Sequence, residues 1–168
     1  MTYEELVNKS KRYRLNGDCD LFIWHYASEI FNLKYEEEVK LIDYLIDGIS
    51  KNKKFDFLKS IYLILNNKQV ESRFQDMAAR GEIPESEKSN IINNITFEDD
   101  GKVDVFRGIN IFNDPNGCSY TLSKEKAEWF AYRYGHFNGC FVKHKRVSID
   151  DIIFFDNRRM EKEVLLKK

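Results

Sequence analysis

The sequence lacks any long apolar run. No uninterrupted apolar segment among its 168 residues approaches the roughly 20 that a helix needs to cross a bilayer. The amino terminus, Met1 to Glu5, also lacks the basic and then apolar order of a secretion signal. We therefore expect a protein without a membrane partner that acts in the cytoplasm.

Cysteine and excess charge are scarce as well. The three cysteines Cys19, Cys118 and Cys140 are odd in number and have no metal-ligand spacing, so we expect reduced thiols and no metal site. The formal net charge of −1 argues against a broadly basic nucleic-acid surface. Hydrophobic residues make up 42% and charged residues 33% of the chain, which suits one compact domain or two small ones.

The first part of the chain consists of helical patterns. Between residue 3 and about residue 95, apolar residues recur at helical spacing. In the second pattern the recurring residues are Leu21, Trp24, Ala27 and Phe31. Turn residues interrupt the patterns at Asn16–Asp18, Gly48–Lys54, Asn66–Asn67 and Gly81–Pro84. We assign residues 1–95 to a helical region that recognises a target or regulates the protein.

Polar residues at the starts of two of these helices are candidate caps. Asp18 or Asp20 is expected to cap the second helix, and Ser86 a short helix that ends near Ile92. The helical region contains no cluster of side chains typical of a catalytic site.

The pattern changes after Asn94. Strands are predicted at Lys102–Ile109, Cys140–Val147, Ile152–Phe155 and Val164–Lys167. Ser123 is expected to cap a helix that runs to about Tyr134. Short loops connect these elements, which indicates a small mixed β-rich core over residues 96–168 and an α+β fold for the whole chain.

Polar residues stand at the edges of three apolar segments of this core. Arg107 ends a β-branched and aromatic run, Ser119 and Thr121 open a segment that leads into the helix, and Glu161 and Glu163 begin the last strand. Two carboxylates two residues apart on a strand share a face and can divide two roles. An arginine fork binds phosphate oxygens, and a serine can hold a carboxylate. Together they indicate a phosphate-bearing substrate and the electrostatics of glycosyl transfer.

The order of these residues resembles the arginine–serine–glutamate signature of mono-ADP-ribosyltransferases. In that family a Ser-Thr-Ser motif on a strand is followed about ten residues later by Phe-Ala in a helix. Here Ser119-Tyr120-Thr121 stands in the place of the motif, and Phe130-Ala131 falls at the matching distance. The resemblance covers roughly residues 102 to 168 and implies an ADP-ribosyltransferase-like catalytic core at residues 96–168.

The resemblance implies a role for each residue of the signature. Arg107 matches the arginine that contacts the NAD phosphates, and Ser119 the serine that holds the catalytic glutamate and the nicotinamide ribose. Glu163 matches the catalytic glutamate, which binds the ribose 2′-hydroxyl and favours positive charge at the anomeric carbon. Glu161 matches the acid that accompanies transfer to arginine. The loop from Asp156 to Met160 sits where the family reads its target.

Further residues are expected to contact NAD. Gly108 would let the dinucleotide approach the backbone. Tyr120 and Thr121 complete the motif as cofactor-binding residues, and Phe130 would pack on nicotinamide. Trp129 and Phe130 are also expected in the core, whatever the function.

The resemblance implies an NAD-dependent mono-ADP-ribosyltransferase that modifies a macromolecule, with a protein arginine as the favoured acceptor and nucleic acid as a less favoured one. The family supplies bacterial toxins, effectors and phage-borne modifiers, so the expected place of action is the cytoplasm of a bacterial host cell. The alternative is a non-catalytic module that binds NAD, ADP-ribose or a protein and inhibits a partner. A third interpretation is a nucleic-acid-binding protein that uses amino-terminal basic runs such as Lys9 to Arg12.

Each signature residue also has a purely structural interpretation. Arg107 would then form a surface salt bridge, and Ser119 would be a turn residue after Gly117. Glu161 and Glu163 would be solvated residues on an edge strand. The spatial arrangement of these residues separates the two interpretations.

Overall fold

The structure, a computed structural model, describes residues 1–65 and 68–168. Contacts divide the chain into two compact units, Met1–Asp76 and Met77–Lys168. Over the described residues the chain forms seven α-helices and one five-stranded sheet, so the architecture is α+β as predicted. The second unit contains the predicted core range 96–168 together with residues 77–95.

The first unit is helical. Its elements are α1 (Tyr3–Asn16), α2 (Cys19–Phe31), α3 (Tyr35–Asp47), a 3₁₀ turn (Lys51–Lys53), α4 (Lys54–Leu65) and α5 (Lys68–Ala79), which runs across the division. α1 begins with a capping box, in which Thr2 accepts from the Glu5 backbone N–H and Glu5 accepts from that of Thr2. The predicted breaks near Asn16–Asp18 and Gly48–Lys54 are confirmed, and the one at Asn66–Asn67 lies outside the described residues.

The buried face of α2 differs from the prediction. The side chains that α2 buries are Cys19, Phe22, Ile23 and Ile30, whereas Trp24, expected at the buried face, is 69% exposed. α2 has apolar residues on several sides, so spacing alone permits more than one buried face. The non-helical backbone of Tyr26 (φ −116°, ψ 19°) also changes the phase of the helix. Asp18 takes the N-cap position, where its carbonyl accepts from the Phe22 N–H.

The second unit contains the sheet. Its elements are α6 (Glu85–Asn94), β1 (Lys102–Ile109), β2 (Ser119–Thr121), α7 (Lys124–Tyr132), β3 (Phe141–Ser148), a 3₁₀ turn (Ile149–Asp151), β4 (Ile152–Asp156) and β5 (Glu163–Leu166). The strand order is β3-β1-β2-β5-β4, and all neighbouring strands are antiparallel. Ser123 caps α7 as predicted, since its side chain accepts from the Lys126 N–H. The predicted Ser86 cap of α6 is wrong, because Pro84 takes the N-cap position and Ser86 lies in the first turn.

The two helices of this unit pack on the sheet at positions set by strand alternation. Ile91 of α6 and Ile95, the C-cap residue that follows the helix, join an apolar cluster that includes Val105, Tyr120 and Val164. Because side chains alternate along a strand, Phe106 and Gly108 turn to the face opposite Val105. α7 crosses β1 at Gly108.

Gly108 has a packing reason of its own. A Cβ atom at this position would lie 2.2 Å from the Ala127 carbonyl oxygen and 2.5 Å from the Ala131 nitrogen. The absence of a side chain therefore lets the backbone of α7 approach β1. This differs from the prediction that Gly108 gives a dinucleotide access to the backbone.

Candidate functional site

Strand register brings three of the predicted site residues to one face of the sheet. Phe106 lies opposite Thr121, and Thr121 lies opposite Glu163. Directly opposed residues of antiparallel strands point to the same side, and Ser119, two residues before Thr121, shares that side. Ser119, Thr121 and Glu163 therefore lie together on the face that α7 crosses.

The carboxylate of Glu163 is the centre of this group. Glu163 is only 5% exposed. Its Oε1 accepts a hydrogen bond from Ser119 Oγ at 2.5 Å, and its Oε2 accepts one from Arg159 Nη2 at 2.8 Å. Donors of this kind offset the loss of hydration of a buried carboxylate. Ser119 thus makes the contact with Glu163 that the resemblance implied.

Glu161 does not lie on the strand. β5 begins at Glu163, and the intervening Lys162 has a left-handed backbone (φ 47°), so the alternation expected of a Glu-x-Glu strand does not apply. The carboxylates nevertheless converge, because Arg159 Nη2 lies 3.5 Å from Glu161 Oε2 and 2.8 Å from Glu163 Oε2. One guanidinium therefore bridges both acids.

Thr121 fixes the position of the segment before β5. Its hydroxyl donates to the Glu161 carbonyl at 2.5 Å and accepts from the Ser123 N–H at 3.1 Å. The Leu122 N–H donates to the Lys162 carbonyl at 3.1 Å. These bonds attach the segment of Glu161 to the end of β2, next to the start of α7.

Arg107 is connected to the site through the backbone. Alternation along β1 turns it to the face opposite Glu163. Its Nη1 donates to the Ser119 carbonyl at 2.7 Å, and its Nη2 donates to the Asp114 carbonyl at 2.8 Å. A Cβ atom at Gly117 would lie 2.3 Å from Nη2, so this glycine makes room for the guanidinium. Arg107 thus holds the loop before β2 against the strand that carries Ser119. This placement differs from the expectation that Arg107 and Glu163 contact one NAD molecule from the same face of the sheet.

The two aromatic residues predicted to contact NAD occupy different environments. Tyr120 is 3% exposed and packs in the core with Val105 and Val164, because alternation turns it away from Ser119 and Thr121. This placement differs from the expectation that its side chain binds a cofactor. The half-buried Phe130 lies on α7, with its ring 5.1 Å from the Arg133 guanidinium. Trp129 was expected in the core but is 55% exposed.

A second buried carboxylate lies beside Glu163. Asp156, at the end of β4, is directly opposite Glu163 in the sheet register. Its Oδ2 accepts from Arg158 Nε at 2.7 Å, and its Oδ1 accepts from the Arg158 backbone N–H at 2.8 Å. Two adjacent acids thus each have an arginine from the same loop, which lowers the repulsion between them.

Sequence reasoning did not identify two residues that organise this region. Arg159 was placed only within a target-reading loop, although its position four residues before Glu163 permits an ion pair. Asn110, which is buried, bonds through Nδ2 to the Phe130 carbonyl at 2.9 Å, and its Oδ1 accepts from the Phe112 N–H at 2.8 Å. An asparagine directly after a strand is typical of such a turn, so this signal was present in the sequence.

No family model, curated protein or solved structure matches the chain. In the described ranges, 1–65 and 68–168, no group of three or more His, Cys, Asp or Glu residues is arranged to hold a metal ion. No helix among those residues combines the length and apolar character needed to cross a bilayer. The chemistry of the side chains around Glu163 is therefore the basis for a function.

Proposed function

We propose that the protein is an NAD-dependent mono-ADP-ribosyltransferase. It transfers ADP-ribose from NAD to a macromolecular acceptor, with a protein arginine favoured, and acts as a bacterial or phage effector in the cytoplasm of a host cell. Residues 96–168 form the catalytic core, and residues 1–95 recognise the target or regulate the site. The observation that carries the proposal is the hydrogen bond between Ser119 and the buried Glu163.

The proposed chemistry depends on the charge of Glu163. With Oε1 held by Ser119, the carboxylate has a defined orientation, and Oε2 is the atom available to the ribose 2′-hydroxyl once Arg159 moves away. The bond between the anomeric carbon and nicotinamide breaks, and its electron pair leaves with nicotinamide. Negative charge fixed beforehand next to the developing cation lowers the barrier, because no reorganisation is needed during the reaction.

The position of Arg159 supports an arginine as the favoured acceptor. Its guanidinium lies between Glu161 and Glu163, so the two carboxylates accommodate the functional group of an arginine. An acceptor arginine in that place would have one nitrogen near the anomeric carbon and its charge balanced by Glu161. This supports the role that the resemblance assigns to Glu161.

The alternative function is a non-catalytic module that binds NAD, ADP-ribose or a protein and inhibits a partner. One observation favours it: both oxygens of Glu163 already accept hydrogen bonds from the protein itself. A site with its acid satisfied in this way can be stable without turnover.

Release of nicotinamide from NAD tests the proposal. The wild-type protein should release nicotinamide, and Glu163→Gln should lower the rate about 100- to 1000-fold, the usual loss when one electrostatic stabiliser is removed. Glutamine keeps the size of the side chain and an oxygen for Ser119. Glu98→Gln is the matched control, since Glu98 is an exposed acid that pairs with Arg146. Binding of NAD to the wild type without nicotinamide release would exclude the enzyme and support the binding module.

A further inference from the structure

The guanidinium that pairs with both Glu161 and Glu163 is that of Arg159. Arg159 lies in the loop between β4 and β5, where Met160 has a left-handed backbone (φ 56°). The loop is closed by a bond from the Met160 N–H to the Asn157 carbonyl at 2.9 Å. A second bond runs from the Lys162 N–H to Asn157 Oδ1 at 3.0 Å. This closed loop aims Arg159 at Glu161 and Glu163.

The environment of Arg159 differs from that of its neighbour Arg158. Arg158 pairs with Asp156, whose side chain is 4% exposed. Arg159 instead lies near two acids, and its own side chain is 35% exposed while that of Glu163 is 7% exposed. Arg159 therefore pairs with a buried carboxylate while part of its own side chain is exposed to solvent.

We propose that Arg159 is an internal acceptor, so that the protein ADP-ribosylates itself at this residue. The inference rests on the proposed function and names a substrate of that same site. The bond between the anomeric carbon of NAD and nicotinamide breaks, and nicotinamide leaves with the electron pair. A guanidinium nitrogen of Arg159 donates its lone pair to the anomeric carbon, forming an N-glycosidic bond, and the proton passes to Glu161 or to water.

A short movement brings Arg159 into the acceptor position. When the ribose 2′-hydroxyl takes Oε2 of Glu163, Arg159 loses its 2.8 Å partner but still has Glu161 Oε2, now 3.5 Å away. The guanidinium then stays beside the sugar. An acceptor held within the same molecule reacts at a high effective concentration, so Arg159 competes well with external arginines.

Self-modification has a consequence for turnover. ADP-ribose attached to Arg159 would remain beside Glu161 and Glu163, with its two phosphates close to the place that the next NAD must occupy. It would exclude the next NAD by bulk and by like charge. The activity of the purified protein should therefore decline as Arg159 is modified.

The test uses the full chain with labelled NAD and no other protein. Label should reach about one ADP-ribose per chain, and peptide mass spectrometry should place it on Arg159. The labelling rate per molecule should not change over a tenfold dilution of the protein, because transfer within one chain does not depend on protein concentration. Arg159→Lys should lower the label at least tenfold, whereas Arg80→Lys, at an exposed arginine that pairs with Glu82, should leave it unchanged. Free ADP-ribose in place of NAD should give no label.

Each other outcome has a defined meaning. Nicotinamide release without label on Arg159, including label on Arg158 instead, would overturn the inference and leave the proposed function intact. A labelling rate per molecule that rises with protein concentration would overturn internal transfer, and label from free ADP-ribose would overturn enzymatic transfer. No nicotinamide release by the wild type would overturn both the inference and the proposed function.

Discussion

The two units differ in what they bury. Among the described side chains, the polar one buried in the first unit is Ser10, which bonds to the Val7 carbonyl of its own helix at 2.7 Å. In the second unit the buried polar side chains are Glu87, Asn110, Thr121, Asp156 and Glu163. Burying a carboxylate is costly without compensating donors. A small unit that buries three of them is the better candidate for chemistry.

The buried acids of the second unit also differ among themselves. Glu87 Oε1 accepts from the Phe155 backbone N–H and from Asn90 Nδ2, each at 3.0 Å. These donors are neutral, and the first belongs to a strand. Glu163 instead accepts from a hydroxyl and from a guanidinium on a partly exposed side chain. Glu87 thus attaches α6 to β4, whereas Glu163 has a charged partner whose side chain is partly exposed.

The largest expected effect concerns the core of the first unit. Phe22→Ala should lower its free energy of unfolding by about 3–5 kcal/mol, because the fully buried ring leaves a cavity. Trp24→Ala, two residues away on the exposed side of α2, should change it by no more than about 0.5 kcal/mol. Denaturant unfolding, monitored by hydrogen exchange in peptides of α2, measures the free energy of unfolding of both variants. A cost for Trp24→Ala equal to that for Phe22→Ala would mean that α2 buries the face that spacing predicted.

A smaller effect should separate the two buried acids. Glu87→Ala leaves the Phe155 N–H without the carboxylate that it now bonds, so it should lower the stability of the second unit by about 1–3 kcal/mol. Nicotinamide release per folded molecule should stay at the wild-type rate. Unfolding monitored by Trp129 fluorescence in a Trp24→Phe background measures the stability of the second unit. A nicotinamide assay on the same protein measures the rate of release. A Glu87→Ala protein that is as stable as wild type but inactive would reverse the roles assigned to Glu87 and Glu163.

The sequence predicted those features that depend on local chemistry. The bounds of β1, the Ser123 cap and the helical character of the first unit follow from spacing and capping preferences within a few residues. The contact between Ser119 and Glu163 was expected only through the family resemblance, because no local rule joins residues 44 positions apart.

Other features depend on tertiary structure and escaped prediction. Tyr120 is buried because of the register between β2 and β5, which the sequence does not specify. Gly108 lets the backbone of α7 pack against β1, and α7 begins 16 residues later in the chain. The need for glycine at this position therefore depends on a tertiary contact and not on local sequence. Arg159 reaches both acids from a loop in which Met160 and Lys162 have left-handed backbones, which are uncommon for these residue types.

The smallest expected effect is a pH-dependent change in stability, which we compare between one carboxyl group of each unit. In the second unit, hydrogen bonds from the Ser148 backbone N–H and then from its hydroxyl lower the pKa of Asp151, with both donors 2.8 Å from Oδ2. In the first unit, the Ser28 hydroxyl is the main cause of the lowered pKa of Glu29. A carboxyl group with a lowered pKa in the folded state stabilises the fold above its unfolded pKa, and this contribution disappears as the pH falls through the folded value.

Asp151→Asn should therefore cost about 0.5–1 kcal/mol at pH 7, the lower part of the range for a lost cap. The difference from wild type should shrink below about pH 4, where an unfolded aspartate becomes protonated. Glu29→Gln should cost less, because the hydroxyl that bonds Glu29 belongs to the adjacent Ser28 and the bond lies at the surface. Denaturant unfolding at pH 7, 5, 4 and 3 measures the three proteins. If the difference in free energy of unfolding between wild type and Asp151→Asn stays constant down to pH 3, Ser148 does not bond the ionised carboxylate. The stability of the turn between β3 and β4 would then need another explanation.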